Sequence, residues 1–137
     1  MRVAVLDDAD GIAKQSADWQ RLGRVDVLVH DDHLTDPDAL VTRLSYADVV
    51  VLTGERTVLS SDLLERLPGI QLIITMGADA AVDLDAATEL GMTVCATDVV
   101  DAGAALSASP EDLAKHYNRA CDIVESFRSG EVILARN

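Results

Sequence analysis

The stretch VVVLTGERTVLSSDLLERLPGIQLIITMG, residues 49–77, decides the fold of this chain. It contains two short apolar runs, Val49 to Leu52 and Leu72 to Thr75, and a helical pattern from Ser61 to Leu67 lies between them. Continuous runs of aliphatic and β-branched residues are typical of parallel strands that are buried on both faces. The stretch therefore predicts a strand–helix–strand unit of a parallel sheet.

The same alternation extends along the chain in both directions. Three further strands are predicted at Val3 to Leu6, Val25 to Val29 and Met92 to Cys95. Three further helices are predicted at Gly11 to Leu22, Pro37 to Leu44 and Asp83 to Leu90. Strands that alternate with short helices through right-handed crossovers form a doubly wound sheet. We expect an α/β fold of the flavodoxin-like type, with a five-stranded parallel sheet whose strands are all buried.

The predicted helices carry recognisable end signals. Asp36 or Thr35 can cap the helix that begins at Pro37, Ser60 precedes the next helix, and Gly91 closes the one after it. Side-chain oxygens at helix starts and glycine at helix ends satisfy the terminal peptide groups. These signals fix the boundaries of the strand–helix repeats, which occupy residues 1–97.

The last part of the chain is different. Residues 98–108 form a junction, and residues 109–137 predict one long amphipathic helix from Ser109-Pro110 to Gly130, followed by an extended tail. The apolar face of this helix contains Leu113, Tyr117, Ala120, Cys121, Val124 and Phe127. We expect the helix to cover one side of the sheet, so that residues 1–137 form a single domain.

Composition excludes several classes of function. The chain has 24 acidic and 11 basic residues, a formal net charge of −13, which disfavours nucleic acid and anionic membrane surfaces as partners. No apolar run approaches the ~18 residues of a membrane span. Cys95 and Cys121 are isolated thiols in apolar surroundings, which favours small core residues in a reducing compartment. We expect a cytoplasmic protein.

Six linked blocks of sequence carry a resemblance to a known family; they comprise residues 3–8, 18–22, 53–57, 63–68, 71–83 and 89–95. Together they resemble the substrate-binding domain of the D-isomer-specific 2-hydroxyacid dehydrogenases, the phosphoglycerate dehydrogenase family. The segment from Ser109 through Tyr117, with residues 127–131 and Asn137, resembles the C-terminal segment of those enzymes. In that family this segment returns to the first domain after an NAD-binding domain.

The resemblance implies that the NAD-binding domain is missing between residues 98 and 108. No two of the eight glycines are separated by a single residue, so the chain lacks the G-x-G-x-x-G turn that admits a pyrophosphate. The family's catalytic Arg and Glu would lie in the missing domain. Its catalytic His would fall where this chain has Ala102, Gly103 and Ala104. We therefore expect no NAD, no other cofactor and no hydride transfer by this chain alone.

The candidate site lies at the carboxyl ends of the strands, where ligands bind in doubly wound sheets. The resemblance implies that backbone N–H groups of the loop from Gly77 to Asp83 hold a substrate carboxylate; an ordinary strand-to-helix turn is the alternative. Arg56 can bind a carboxylate through two parallel hydrogen bonds, or form a surface ion pair with Glu55 or Asp79. The predicted catalytic residues are Arg56, Glu55 and Asp8. The predicted substrate-binding residues are Thr57, Met76, Gly77, Ala78 and Asp79.

Other polar residues favour structural interpretations. His30-Asp31-Asp32-His33 could hold a divalent cation together with Asp7 or Asp8, but consecutive residues point in different directions, so a solvated turn is favoured and no metal is expected. Asp7 and Asp8 lack the partners that a phosphoacceptor site needs at the ends of the third and fifth strands. His116 and Trp19 are interpreted as packing residues.

Two classes of function remain open. The first is a ligand-binding domain without NAD, repurposed as a non-redox enzyme such as a lyase, isomerase or cyclase. The second is a noncatalytic partner-binding module, or a substrate domain that works beside a separate nucleotide-binding chain. In either case a small anionic or carbonyl-bearing molecule is the expected ligand. We also expect a homodimer, with its contact around the apolar segment 99–106.

Overall fold

The computed structural model describes residues 1–6, 19, 25–30, 32, 34–52, 58–75, 82–97 and 110–130, with the side chains of the last helix described from His116 onward. The strands are β1 (Arg2–Leu6), β2 (Asp26–Val29), β3 (Val49–Leu52), β4 (Leu72–Thr75) and β5 (Thr93–Ala96). The helices are α1 (Pro37–Leu44), α2 (Ser61–Glu65), α3 (Leu84–Glu89) and α4 (Pro110–Ser129). Apart from Trp19, the predicted first helix from Gly11 to Leu22 lies outside the described residues.

The five strands form one parallel sheet in the order β2-β1-β3-β4-β5. This order places β1 in the interior and brings β3 and β4 together, with Leu52 opposite Thr75. The α/β fold, the five-stranded parallel sheet and the C-terminal helix predicted from sequence are confirmed.

One face of the sheet packs against α4. Tyr117, Ala120, Cys121 and Val124 are fully buried in a cluster with Val5 and other inward residues of the strands. Phe127 packs against the same cluster, and so does Trp19, which is also buried. The predicted apolar face of the helix is confirmed from Tyr117 onward, and the side chain of Leu113 lies outside the described set. Both cysteines are free and buried, as the sequence predicted.

The other face of the sheet packs against α1, α2 and α3. Asp36 caps α1, where its carboxylate accepts a hydrogen bond from the Asp38 N–H at 3.3 Å. Asp83 caps α3 in the same way through the Ala86 N–H at 3.1 Å. Gly91 follows α3 with a φ of 76°, a conformation that favours glycine. These caps confirm the predicted ends of α1 and α3. Ser60 precedes α2 as predicted, but its side chain makes no capping hydrogen bond.

One prediction about the sheet is wrong: β2 is not buried on both faces. Its residues alternate between exposed and half-buried, and Leu28 is 51% exposed. The physical reason is the position of β2 at the edge of the sheet, where it has β1 as its only neighbouring strand. An apolar run does not by itself distinguish an edge strand from a central one.

The described helices were also compared with the dimensions of a membrane. None of them is both long enough and apolar enough to cross one.

Candidate functional site

The strand order fixes where a ligand crevice opens. The reversal of order falls between β1 and β3, which pair with Leu6 opposite Leu52. Doubly wound sheets bind ligands beyond the carboxyl ends of the strands at such a point. Residues that follow β1, β3 and β4 therefore start from three adjacent strand ends.

The eight residues predicted to form the site follow these strand ends. They are Asp8 after β1, Glu55, Arg56 and Thr57 after β3, and Met76, Gly77, Ala78 and Asp79 after β4. All eight lie outside the described residues, so their roles stay predictions. The adjacency of the three strands from which they follow is the structural fact that bears on them.

A buried pair of threonines lies at the same edge of the sheet. The Thr75 hydroxyl donates a hydrogen bond of 3.5 Å to the Cys95 carbonyl, and the Thr97 N–H donates one of 2.9 Å to the Thr75 carbonyl. The Thr97 hydroxyl in turn forms a hydrogen bond with Nδ1 of His116 on α4. This chain of contacts links β4, β5 and α4 next to the predicted substrate loop.

The Thr97–His116 bond is a feature that sequence reasoning missed. His116 was interpreted as a packing residue, and it does lie half-buried beside Tyr117. Its bond to Thr97 joins residues separated by 19 positions, and periodicity carries no signal for such a pair. The polar residue Thr97 directly after a buried strand was the one available hint.

The polar turn after β2 is organised by protein groups. His30 Nε2 lies 3.2 Å from the Tyr46 hydroxyl, and burial raises the pKa of that hydroxyl. The Asp32 carboxylate accepts a 2.9 Å hydrogen bond from Arg43, which lowers the pKa of Asp32. Asp31 and His33 lie outside the described residues. Within the residues that are described, no group of three or more His, Cys, Asp or Glu side chains could hold a metal ion.

Cys95 is the one thiol of the described chain with a resolved change in acidity. Its side chain is buried under α4, and desolvation raises its pKa to about 11. A thiol with a raised pKa is a poor nucleophile at neutral pH. Cys95 is therefore a core residue rather than a candidate nucleophile.

Comparison with protein families gives one match. The family model described as the D-isomer specific 2-hydroxyacid dehydrogenase, catalytic domain, matches residues 3–105. The match covers all five strands and ends before α4. No curated protein sequence matches the chain.

Solved structures resemble this chain over the same region. A phosphoglycerate oxidoreductase from Vibrio cholerae is 32% identical with a TM-score of 0.65, over 70% of this chain and 31% of its own. An oxidoreductase from Ralstonia solanacearum, assigned as a D-3-phosphoglycerate dehydrogenase, is 31% identical with a TM-score of 0.62, over 69% of this chain and 28% of its own. The apo D-lactate dehydrogenase from Escherichia coli shares the fold at 24% identity and a TM-score of 0.59, over 74% and 32% of the two chains. This chain thus spans about a third of the length of these proteins.

Proposed function

Because the chain belongs to the D-isomer-specific 2-hydroxyacid dehydrogenase family, we propose that it is a free-standing substrate domain that binds a small anionic or carbonyl-bearing molecule without NAD. The family match over residues 3–105 supports the substrate domain. The pairing of β1, β3 and β4 supports the crevice, because their carboxyl ends are adjacent. That adjacency is the observation that carries the proposal.

The predicted ligand follows from the residues around the crevice. Arg56 is the only basic residue in the two segments 53–57 and 76–79, on a chain whose formal charge is −13. A guanidinium with two parallel donors fits a carboxylate better than any other group in these segments. A small 2-keto acid, which combines a carboxylate with a carbonyl, is therefore the proposed class of ligand.

Independence from NAD rests on the sequence of the chain. A dinucleotide needs a glycine turn that lets a helix N-terminus approach the pyrophosphate. The eight glycines provide no pair separated by one residue. The residues present therefore do not fit NAD or NADP, and any reaction catalysed by this chain alone is non-redox.

Titration calorimetry with pyruvate tests the proposal. We expect heat of binding with pyruvate, weaker binding with acetate, which lacks the carbonyl, and weaker binding with acetone, which lacks the carboxylate. NAD and NADP should give no dissociation constant below about 1 mM, which corresponds to roughly 4 kcal/mol of binding free energy. Tight NAD binding would contradict the cofactor-independent form of the proposal.

The second candidate is a substrate domain that works beside a separate nucleotide-binding chain. The observation that favours it is length, because the similar oxidoreductases extend well beyond the matched region. In that case the chain alone should bind pyruvate but neither oxidise NADH nor change the keto acid. Turnover of a keto acid by the chain alone would instead favour a lyase, isomerase or cyclase.

A further inference from the structure

The outer edge of β2 has backbone groups available for pairing. The Asp26 N–H donates to the Met1 carbonyl at 3.0 Å and the His30 N–H to the Val5 carbonyl at 2.8 Å, so residues 26, 28 and 30 direct their peptide groups toward β1. Successive residues of a strand direct these groups to opposite sides. Val27 and Val29 therefore direct theirs away from the sheet, and neither has a hydrogen-bond partner there in the described part of the chain.

The side chains of this edge are also exposed. Asp26 and Leu28 lie on the face of the sheet that carries α1, and Leu28 is 51% exposed. An open groove of about 450 Å³ runs beside them, lined by Arg2, Val25 to Leu28 and Tyr46. The strand has no proline and no lysine, which are residues that proteins commonly use to block edge pairing.

We propose that this edge pairs with the same edge of a second copy of the chain. The two β2 strands run antiparallel across a two-fold axis at Leu28, and the sheets of the two copies become continuous. In this register Val27 of one copy lies opposite Val29 of the other. These are the residues with outward N–H and C=O groups, so each pair exchanges both hydrogen bonds.

Charge complementarity selects this register. Arg2 is the neighbour of Asp26 in the parallel pairing of β1 with β2, and both lie on the exposed face. A two-fold axis at Leu28 places Asp26 opposite His30 of the second copy, so the carboxylate has a basic side chain on each side. Opposite charges in directly facing positions stabilise a strand pair. A two-fold axis at Val27 would instead place Asp26 opposite Leu28.

A second copy also fills the exposed surface. Leu28 lies opposite its own counterpart in a non-hydrogen-bonded pair, where side chains of antiparallel strands approach each other most closely. The groove beside Asp26 then faces His30 of the second copy. This surface is separate from the segment 99–106, which lies outside the described residues, and from the carboxyl-end crevice.

Light scattering and sedimentation equilibrium of the full chain test the interface. We expect a dimer, and we expect Leu28→Lys to raise its dissociation constant by roughly tenfold or more, since the two lysines face each other at the axis. Leu90→Lys is the matched control, because Leu90 is 43% exposed and follows α3 on the β5 side of the sheet. A monomer at all concentrations, or a dimer that Leu28→Lys and Leu90→Lys leave equally intact, overturns the proposal.

Cysteine crosslinking tests the register and does not depend on the lysine variants. Leu28→Cys should form a disulfide-linked dimer under mild oxidation, because the two side chains face each other across the axis. The native Cys95 and Cys121 are buried and give the background. Leu90→Cys and Val27→Cys should stay uncrosslinked under the same conditions. Crosslinking through Val27→Cys without crosslinking through Leu28→Cys overturns the register.

Discussion

Thr97 and His116 form a hydrogen bond between the threonine hydroxyl and the imidazole Nδ1, which ties the end of β5 to helix α4. Thr97 is buried, so its hydroxyl would lose its hydration without this partner. The helix packs along the same side with Tyr117 fully buried. The bond therefore fixes one point of α4 on the sheet while apolar contacts hold the rest of its described face.

We predict that this bond couples the helix to the sheet energetically. Thr97→Val and His116→Ala should each lower the free energy of unfolding by about 1–3 kcal/mol, because each leaves a polar group without its partner. In the double variant the two losses should fall short of additive by about 0.5–1.5 kcal/mol. Urea unfolding of the four proteins measures this coupling. Strict additivity would show that the two side chains act independently.

The apolar face of α4 should contribute far more to stability than that hydrogen bond. Tyr117→Ala removes a fully buried aromatic side chain and should cost about 3–5 kcal/mol. Arg119→Ala, two residues along on the exposed face, is the control and should change stability by less than about 0.5 kcal/mol. Thermal and urea unfolding both report the difference.

Removal of residues 109–137 extends the same test to the whole helix. The truncated chain should lose cooperative unfolding or aggregate, because a typical domain is stable by only about 5–15 kcal/mol. A truncated monomer that unfolds cooperatively at the temperature of the full chain would show that α4 is not part of the core.

The sequence predicted the sheet well because buried parallel strands leave a strong local signal. Runs such as Val49 to Leu52 are apolar at every position, and the helix caps at Asp36 and Asp83 are likewise local. The edge position of β2 was not predictable in this way. It depends on which strands become neighbours, and that is a property of the assembled sheet.

The candidate site was less accessible to sequence reasoning for a similar physical reason. The contacts that organise its described part, from Thr75 to Cys95 and from Thr97 to His116, join different elements through single hydrogen bonds. No periodic pattern encodes them. The general position of the crevice, by contrast, follows from the strand order, and the predicted adjacency of β3 and β4 is confirmed.

Burial of Cys95 predicts a loss of stability in alkali. Its pKa is raised to about 11 in the folded protein from an ordinary value of 9.0, so the unfolded chain ionises first. The free energy of unfolding is unaffected by this group below pH 9 and should fall as the pH rises toward about 11. Two pH units of difference correspond to roughly 2–3 kcal/mol at most.

Unfolding measured between neutral pH and pH 11 checks this effect of Cys95. The Cys95→Ala variant starts from a lower stability but should lose less of it over the same interval, because it has no thiol to ionise. An identical alkaline decline in both proteins would assign the loss to other groups, such as the half-buried Tyr46 hydroxyl, whose pKa is also raised.

The proposed ligand site makes its sharpest prediction at Arg56, which follows β3 next to the end of β4. Arg56→Ala should weaken binding of pyruvate by about 1.5–3 kcal/mol, the range for a hydrogen bond to a charged group, or roughly ten- to a hundredfold. Arg56→Lys should recover only part of this loss, because an ammonium group cannot form the two parallel bonds of a guanidinium. Arg66→Ala is the matched control, since Arg66 is exposed and paired with Asp38 at 2.7 Å; it should leave binding unchanged. Calorimetry on the four proteins measures these differences, and if Asp8→Asn abolishes binding while Arg56→Ala leaves it intact, the ligand lies at the end of β1 instead.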